Sequence, residues 1–131
     1  MREQNSYDYA VIRVVPRVER EEFLNVGVIV YCRVMKYLAA RIAFDPARLA
    51  HVFPDMDLDE VERHLAQIPL ISSGGAAAGT IGELPQHERF HWLVAPRSTI
   101  IQTSPCHSGL TDDPALELDR LFASLVKVGS A

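Results

Sequence analysis

The residues with the most evident chemical potential are His87-Glu88-Arg89-Phe90-His91, a literal match to HExxH. On a helix, positions i and i+4 share a face, so two imidazoles there could ligate one zinc ion while the Glu activates a bound water. That chemistry is zinc-dependent hydrolysis, with His87 and His91 as candidate metal ligands and Glu88 as the candidate catalytic residue. The longer form of the motif needs Gly and His where this chain has Val94 and Arg97, and the residue after the Glu is the cation Arg89. Glu117, far along the chain, is the remaining candidate for a third ligand. The competing reading is an amphipathic helix that buries Leu84, Phe90 and Leu93 or Trp92 and leaves His87, Glu88, Arg89 and His91 in water. On that reading no metal or other cofactor is expected, and no catalytic residue is assigned.

The motif lies within Glu83 to Pro114, which holds the only Trp, three of the five His and four of the eight Pro. Ser98, Ser104, Cys106, His107, Ser108, Asp112 and Asp113 supply the residue types of a nucleophile, a base and an orienting acid. No G-x-S-x-G elbow accompanies them, and adjacent residues such as Cys106 and His107 point apart on a strand. What remains is a cluster of Arg97, Gln102, His107, Thr111 and Asp112 that could bind a ligand or a protein surface. Gly74, Gly75, Gly79 and Gly82 form neither G-x-G-x-x-G nor a P-loop, so they give only weak support for phosphate binding.

Composition narrows the classes. The chain has 131 residues, 48% hydrophobic and 23% charged, which fits a single globular domain over 1–131. A net charge of -4 argues against a broad grip on nucleic acid. Arg13, Arg17, Arg20 and Arg33 are offset by Glu19, Glu21 and Glu22. No apolar stretch approaches the roughly 20 residues of a membrane helix, and the first residues lack a secretory pattern, so a cytoplasmic location is expected. Cys32 and Cys106 have no metal-type spacing and read as two thiols.

The elements that must position these residues follow from periodicity. Tyr7 to Val15 alternates as a strand with Ala10, Ile12 and Val14 on one face, ended by Pro16. Leu24 to Cys32 reads as a central strand buried on both faces, with Gly27 marking a bulge or a close backbone approach. Lys36 to Phe44 makes a hairpin with it. Asp45-Pro46 opens a short helix, and Asp57 with Glu60 forms a capping box for a helix expected to end at Ile68, before Pro69. Ser72 to Gly82 reads as a flexible loop, Pro85 starts a short helix to Leu93, and Ser98 to Ser104 reads as a fourth strand. Asp113-Pro114 opens a last helix with an apolar face of Leu118, Leu121, Phe122, Leu125 and Val128. The expected fold is α+β: one small, mainly antiparallel sheet of about four strands, in the order β-β-β-α-α-β-α, with three or four helices packed on it.

The segments YDYAVIRVVPRVEREEFLNVGVIVYC, ERFHWLVAPRSTIIQTSPCHSGLTDDP and LDRLFASLV resemble a bacterial family known only as domain of unknown function number 3037. The resemblance covers nearly the whole chain and brings no established activity. In that family the helix reads R-E-R-F-R-W-L, so His87 and His91 stand where it has arginines, which weighs against zinc. It implies a bacterial protein whose partner is another protein, a HipA-like kinase encoded nearby. The expected function is therefore an accessory or protein-interaction domain, with the zinc hydrolase and nucleic-acid binding as alternatives. The interface candidates are Arg17, Arg20, Asn25, Arg89, Trp92, Arg97, Ser98, Gln102, His107 and Asp112. Asn25 and Gly27 as bulge formers, and Arg97 as a cap on the preceding helix, are the structural alternatives. Self-association through an exposed edge strand is also open to such a sheet.

Overall fold

The computed structural model describes residues 3–97 and 99–127. Its framework is an antiparallel meander of β1 (Asn5–Val14), β2 (Leu24–Cys32) and β3 (Tyr37–Ile42). The free side of β1 is shared by two short strands, β4 (Ile101–Thr103) opposite Ile12–Val14 and β5 (His107–Thr111) opposite Asn5–Tyr9. Between them Ser104 continues the pairing with its own atoms. Its N–H donates to the Val11 carbonyl at 2.8 Å, and its hydroxyl accepts from the Val11 N–H at 2.9 Å. Pro105, with no N–H to offer, then lets the chain leave the sheet before β5 begins.

β2 lies between β1 and β3, and helices on both faces of the sheet bury its Val and Ile side chains. One face is roofed by α1 (Pro46–Val52), α2 (Leu58–Ser73) and α3 (Gln86–Val94). There Ile12, Ile29 and Tyr31 pack with Leu49, Val61, Leu65 and Phe90. The other face is covered by α4 (Pro114–Leu125), which sets Leu118 and Phe122 against Tyr7, Val28 and Val30. The expected stripe residue Val128 lies outside the described residues. Both Asp-Pro starts form as expected. Asp45 accepts from the Arg48 N–H at 3.0 Å and Asp113 from the Leu116 N–H at 3.1 Å. Asp57 likewise accepts from Glu60 N–H at 3.1 Å.

Gly27 serves both purposes expected of it. Ile12 pairs with Gly27 but Arg13 pairs with Asn25, so Val26 is an extra residue that bulges β2. A Cβ at Gly27 would also lie 2.7 Å from the Arg41 carbonyl oxygen of β3.

Three expectations need correction. First, α2 does not end at Ile68 but continues through Pro69 to Ser73. A proline inside a helix costs on the order of 3 kcal/mol, and here the last turn carries Ile71 and Ser72, both buried, into the core. Pro69 itself is exposed, so its ring meets solvent. Second, the glycine-rich segment is no open loop but two single 3-10 turns, Ala76–Ala78 and Ile81–Glu83, folded on each other through Gly75 N–H to the Gly82 carbonyl at 2.8 Å. Third, β5 was not expected as a strand. Four of its five residues are exposed or half-exposed and Gly109 interrupts it, so no alternation marks it. Gly109 is needed there, because a Cβ would sit 2.8 Å from the Tyr7 ring.

Candidate functional site

The HExxH helix forms as α3, with Phe90 and Leu93 buried and His87, Glu88 and His91 exposed. Leu93, not Trp92, is the inward residue, and Trp92 remains 40% exposed. The imidazoles of His87 and His91 meet edge to face, with ring centroids 6.3 Å apart. Glu117 belongs to α4 on the opposite face of the sheet, where it accepts from the Tyr7 hydroxyl at 2.7 Å and from Arg120. The sheet therefore separates the proposed third ligand from the pair. Among the described residues no three His, Cys, Asp or Glu side chains converge in a metal-binding group.

Arg89 is not a wet member of that helix. Its guanidinium reaches back to the end of α2, donating to the Ile71 carbonyl at 2.9 Å, the Leu84 carbonyl at 2.7 Å and the Ser72 carbonyl at 3.5 Å. It supplies donors to carbonyls that a helix end leaves without partners, and so holds the turn beyond Pro69. Gly74, at φ 80, leaves room for it, since a Cβ would lie 2.9 Å from Arg89 Cζ. Arg97 does the same for α3, as its structural alternative expected. It donates to the Leu93 carbonyl at 3.2 Å and to the Trp92 carbonyl, and its Cζ lies 4.2 Å from the Trp92 ring centroid. Burial lowers the pKa of its guanidinium.

The cluster expected between Arg97 and Asp112 is strung out along the sheet edge. Gln102 stands opposite Arg13, His107 opposite Tyr9 and Thr111 opposite Asn5, so the three span most of the length of β1. Gln102 donates to the Thr99 carbonyl at 3.0 Å, and the His107 ring lies 5.2 Å from that of Tyr9. Asp112 follows β5 directly, and Ser98 lies outside the described residues. Ser108 donates to Asp8 at 2.7 Å on the sheet face opposite to the one His107 shares with Tyr9, so these residues do not align as a triad. Burial and then the Asp8 charge raise the pKa of the Cys106 thiol, the reverse of what an activated nucleophile requires.

Arg17 and Arg20, by contrast, line a concavity. After β1 the chain turns at Pro16 through a 3-10 turn, Val18–Arg20, and reverses with Glu21 in the left-handed region at φ 56. Across from this turn the α1–α2 connection presents Phe53, Pro54, Asp55 and Met56. The Val15 N–H donates to the Ile100 carbonyl at 2.7 Å, extending the ladder by one step and placing Ile100 beside Pro16. The resulting groove has a volume of about 460 Å³. It continues past Glu19, Thr99 and His64, and His64 lies 3.7 Å from Glu60 on α2. One wall carries the cations, with Arg20 paired to Glu22, and the other the carboxylates of Asp55, Asp57 and Glu60. Phe53, Met56 and Ile100 supply the apolar surface between them.

Sequence reasoning found the Arg17 and Arg20 wall but not its counterpart. Phe53, Met56, Glu60 and His64 belong to elements whose caps were legible, yet nothing periodic says that their junction faces Pro16. Asn25 lies apart from the groove, where its Nδ2 donates to the Leu125 carbonyl at the end of α4 at 3.2 Å.

A five-stranded antiparallel sheet with helices on both faces and a groove at one end defines this as a small α+β domain. No described helix is long and apolar enough to cross a membrane. The chain belongs to the protein family of unknown function DUF3037, whose model matches residues 9–126. No curated protein and no solved structure gives a significant match.

Proposed function

We propose that this domain is an accessory module that binds a peptide segment of a partner protein in the groove between the Pro16–Arg20 turn and the α1–α2 connection. The observation that carries the proposal is the pairing of opposite charges across an apolar floor. Arg17 and Arg20, the latter paired with Glu22, line the groove together with Asp55, Asp57 and Glu60 and with the apolar Phe53, Met56 and Ile100. Such a site takes a chain bearing both charges and an apolar anchor, because each wall repels a ligand of its own sign. It disfavours a nucleic-acid backbone, which would meet the carboxylate wall as well as the arginines. The zinc-hydrolase alternative draws no support from the position of Glu117 across the sheet.

The partner we favour is the HipA-like kinase that the family resemblance implies, acting in the bacterial cytoplasm. The test is a scan of overlapping peptides from that kinase for binding to the wild-type domain, to Arg20→Glu and to Glu60→Lys. One or a few peptides of mixed charge should bind the wild type and lose affinity to both variants. Binding of no peptide, or binding indifferent to both substitutions, would remove the groove from consideration.

A further inference from the structure

The two outer edges of the sheet are built differently. Beyond β1 the edge consists of β4, three residues long, and β5, with Pro105 between them and Gly109 inside β5. Short strands and proline keep an edge from pairing with another chain. The opposite edge is β3, six residues with no Pro, Gly or Lys, paired to β2 in unbroken register. Among the described residues no strand lies on its outer side. Ala39, Ala40 and Ile42 are half-buried and Arg41 is exposed, so the strand is reachable from solvent. Its one charge does not guard the edge, because Arg41 is drawn onto α4, donating to Asp119 at 2.6 Å and lying over the Phe122 ring.

The ladder fixes which backbone groups are left over. The Ala43 N–H donates to the Val26 carbonyl at 2.8 Å, and along an antiparallel strand residues bonded to one neighbour alternate with residues that face away from it. Arg41, Ala39 and Tyr37 therefore bond to β2, while Leu38, Ala40 and Ile42 turn their N–H and C=O groups to the open side. No described group bonds to them there. This set is self-complementary. A second β3, antiparallel to the first, uses all of these groups when Ala40 stands opposite Ala40 and Leu38 opposite Ile42, each pair exchanging both of its N–H···O bonds. The side chains agree with that register. Leu38 meets Ile42 and Ala40 meets Ala40 on the face of the larger core, and Arg41 meets Ala39, not a second Arg41, on the face of α4. Apolar groups are thus paired and no like charges stand directly opposite.

We propose that β3 is a self-association edge, on which a second copy of this chain pairs its own β3 across a two-fold axis at Ala40. The two five-stranded sheets then form one continuous sheet. The edge is independent of the groove described above and uses none of its residues.

The test is sedimentation velocity of the whole chain from micromolar to millimolar concentration, with amide hydrogen exchange read by NMR over the same range. A monomer–dimer equilibrium is expected. The Leu38, Ala40 and Ile42 amides should exchange freely in the monomer and gain protection as the dimer fills, whereas Ala39 and Arg41, bonded to β2, should be protected at every concentration. Ala40→Pro removes the N–H at the axis from both copies and none from the ladder to β2, as an edge strand tolerates. It should weaken the dimer about tenfold or more. If that variant does not fold, the amide pattern of the wild type decides the matter alone. A chain that stays monomeric at millimolar concentration, a dimer whose new protection falls outside β3, or a folded Ala40→Pro that dimerises as well as the wild type overturns the proposal. So does an edge that gains protection only when the HipA-like kinase is added, which would give it to a strand of that partner.

Discussion

The two faces of the sheet are held by different means. On the face of α1, α2 and α3, close-packed aliphatic and aromatic side chains do nearly all the work, as where the Tyr31 and Phe90 rings lie 4.8 Å apart. On the other face a single helix covers a smaller apolar cluster, and polar contacts pin it at several points. Tyr7 donates to Glu117 at 2.7 Å, Arg41 to Asp119 at 2.6 Å and Asn25 to the Leu125 carbonyl at 3.2 Å, while Arg41 also lies over the Phe122 ring. The contrast shows how a lone helix, with one narrow stripe to bury, keeps its orientation through hydrogen bonds that fix position along its length.

The largest effect is expected on the apolar face. Ile29→Ala removes a side chain with no exposed surface and should cost about 2–5 kcal/mol in chemical denaturation, with the spread set by how far the cavity collapses. A cost below the lower end would mean that this face is less tightly packed than its burial implies.

Next comes the polar pin of α4. Tyr7→Phe leaves Glu117, 8% exposed, short of one donor and should cost about 1–3 kcal/mol. The same pair predicts a pH profile. Burial, and then the hydrogen bond to Glu117, push Tyr7 up to about 12. Its contribution is therefore complete below the ordinary tyrosine value of 10.0 and is lost as pH rises from there through about 12. Burial alone would raise the Glu117 carboxyl, but hydrogen bonds from Arg120 and Tyr7 outweigh it and hold the pKa below the ordinary 4.5. Its contribution is present above that value and is lost as pH falls through the folded one. Melting temperature against pH should fall on both sides, and Tyr7→Phe should remove the tyrosine's part of the alkaline fall. An unchanged alkaline limb would deny the pin its role.

A smaller effect is expected from Arg89→Met, which keeps much of the stem but deletes the donors to the Ile71, Leu84 and Ser72 carbonyls. A loss of about 1–2 kcal/mol is expected, with amide exchange accelerated in the last turn of α2 before the rest of that helix. Uniform exchange along α2 would mean that the turn beyond Pro69 needs no such support.

How far all this was legible in the chain depends on the range of the interaction. β1, β2, β3 and the Asp45, Asp57 and Asp113 caps were readable because alternation and capping are local. The passage of α2 through Pro69 was not, because the burial of Ile71 and the reach of Arg89 are long-range facts that override a local penalty. β5 was hidden by its exposure at an edge and by Gly109. The groove was half legible. Its arginines stood out as charges beside Pro16, whereas Phe53, Met56 and Glu60 join them only through the ladder step from Val15 to Ile100 and the packing of α1 and α2.

The measurement that tests the central claim most directly is titration of the intact domain against its proposed partner, a HipA-like kinase, by calorimetry, comparing the wild type with the Arg17→Glu, Arg20→Glu double variant. Both arginines are exposed, so the double variant should stay within about 0.5 kcal/mol of wild-type stability while losing at least about tenfold in affinity. A complex that forms with unchanged affinity, or a kinase that does not bind the wild type at all, would contradict the account.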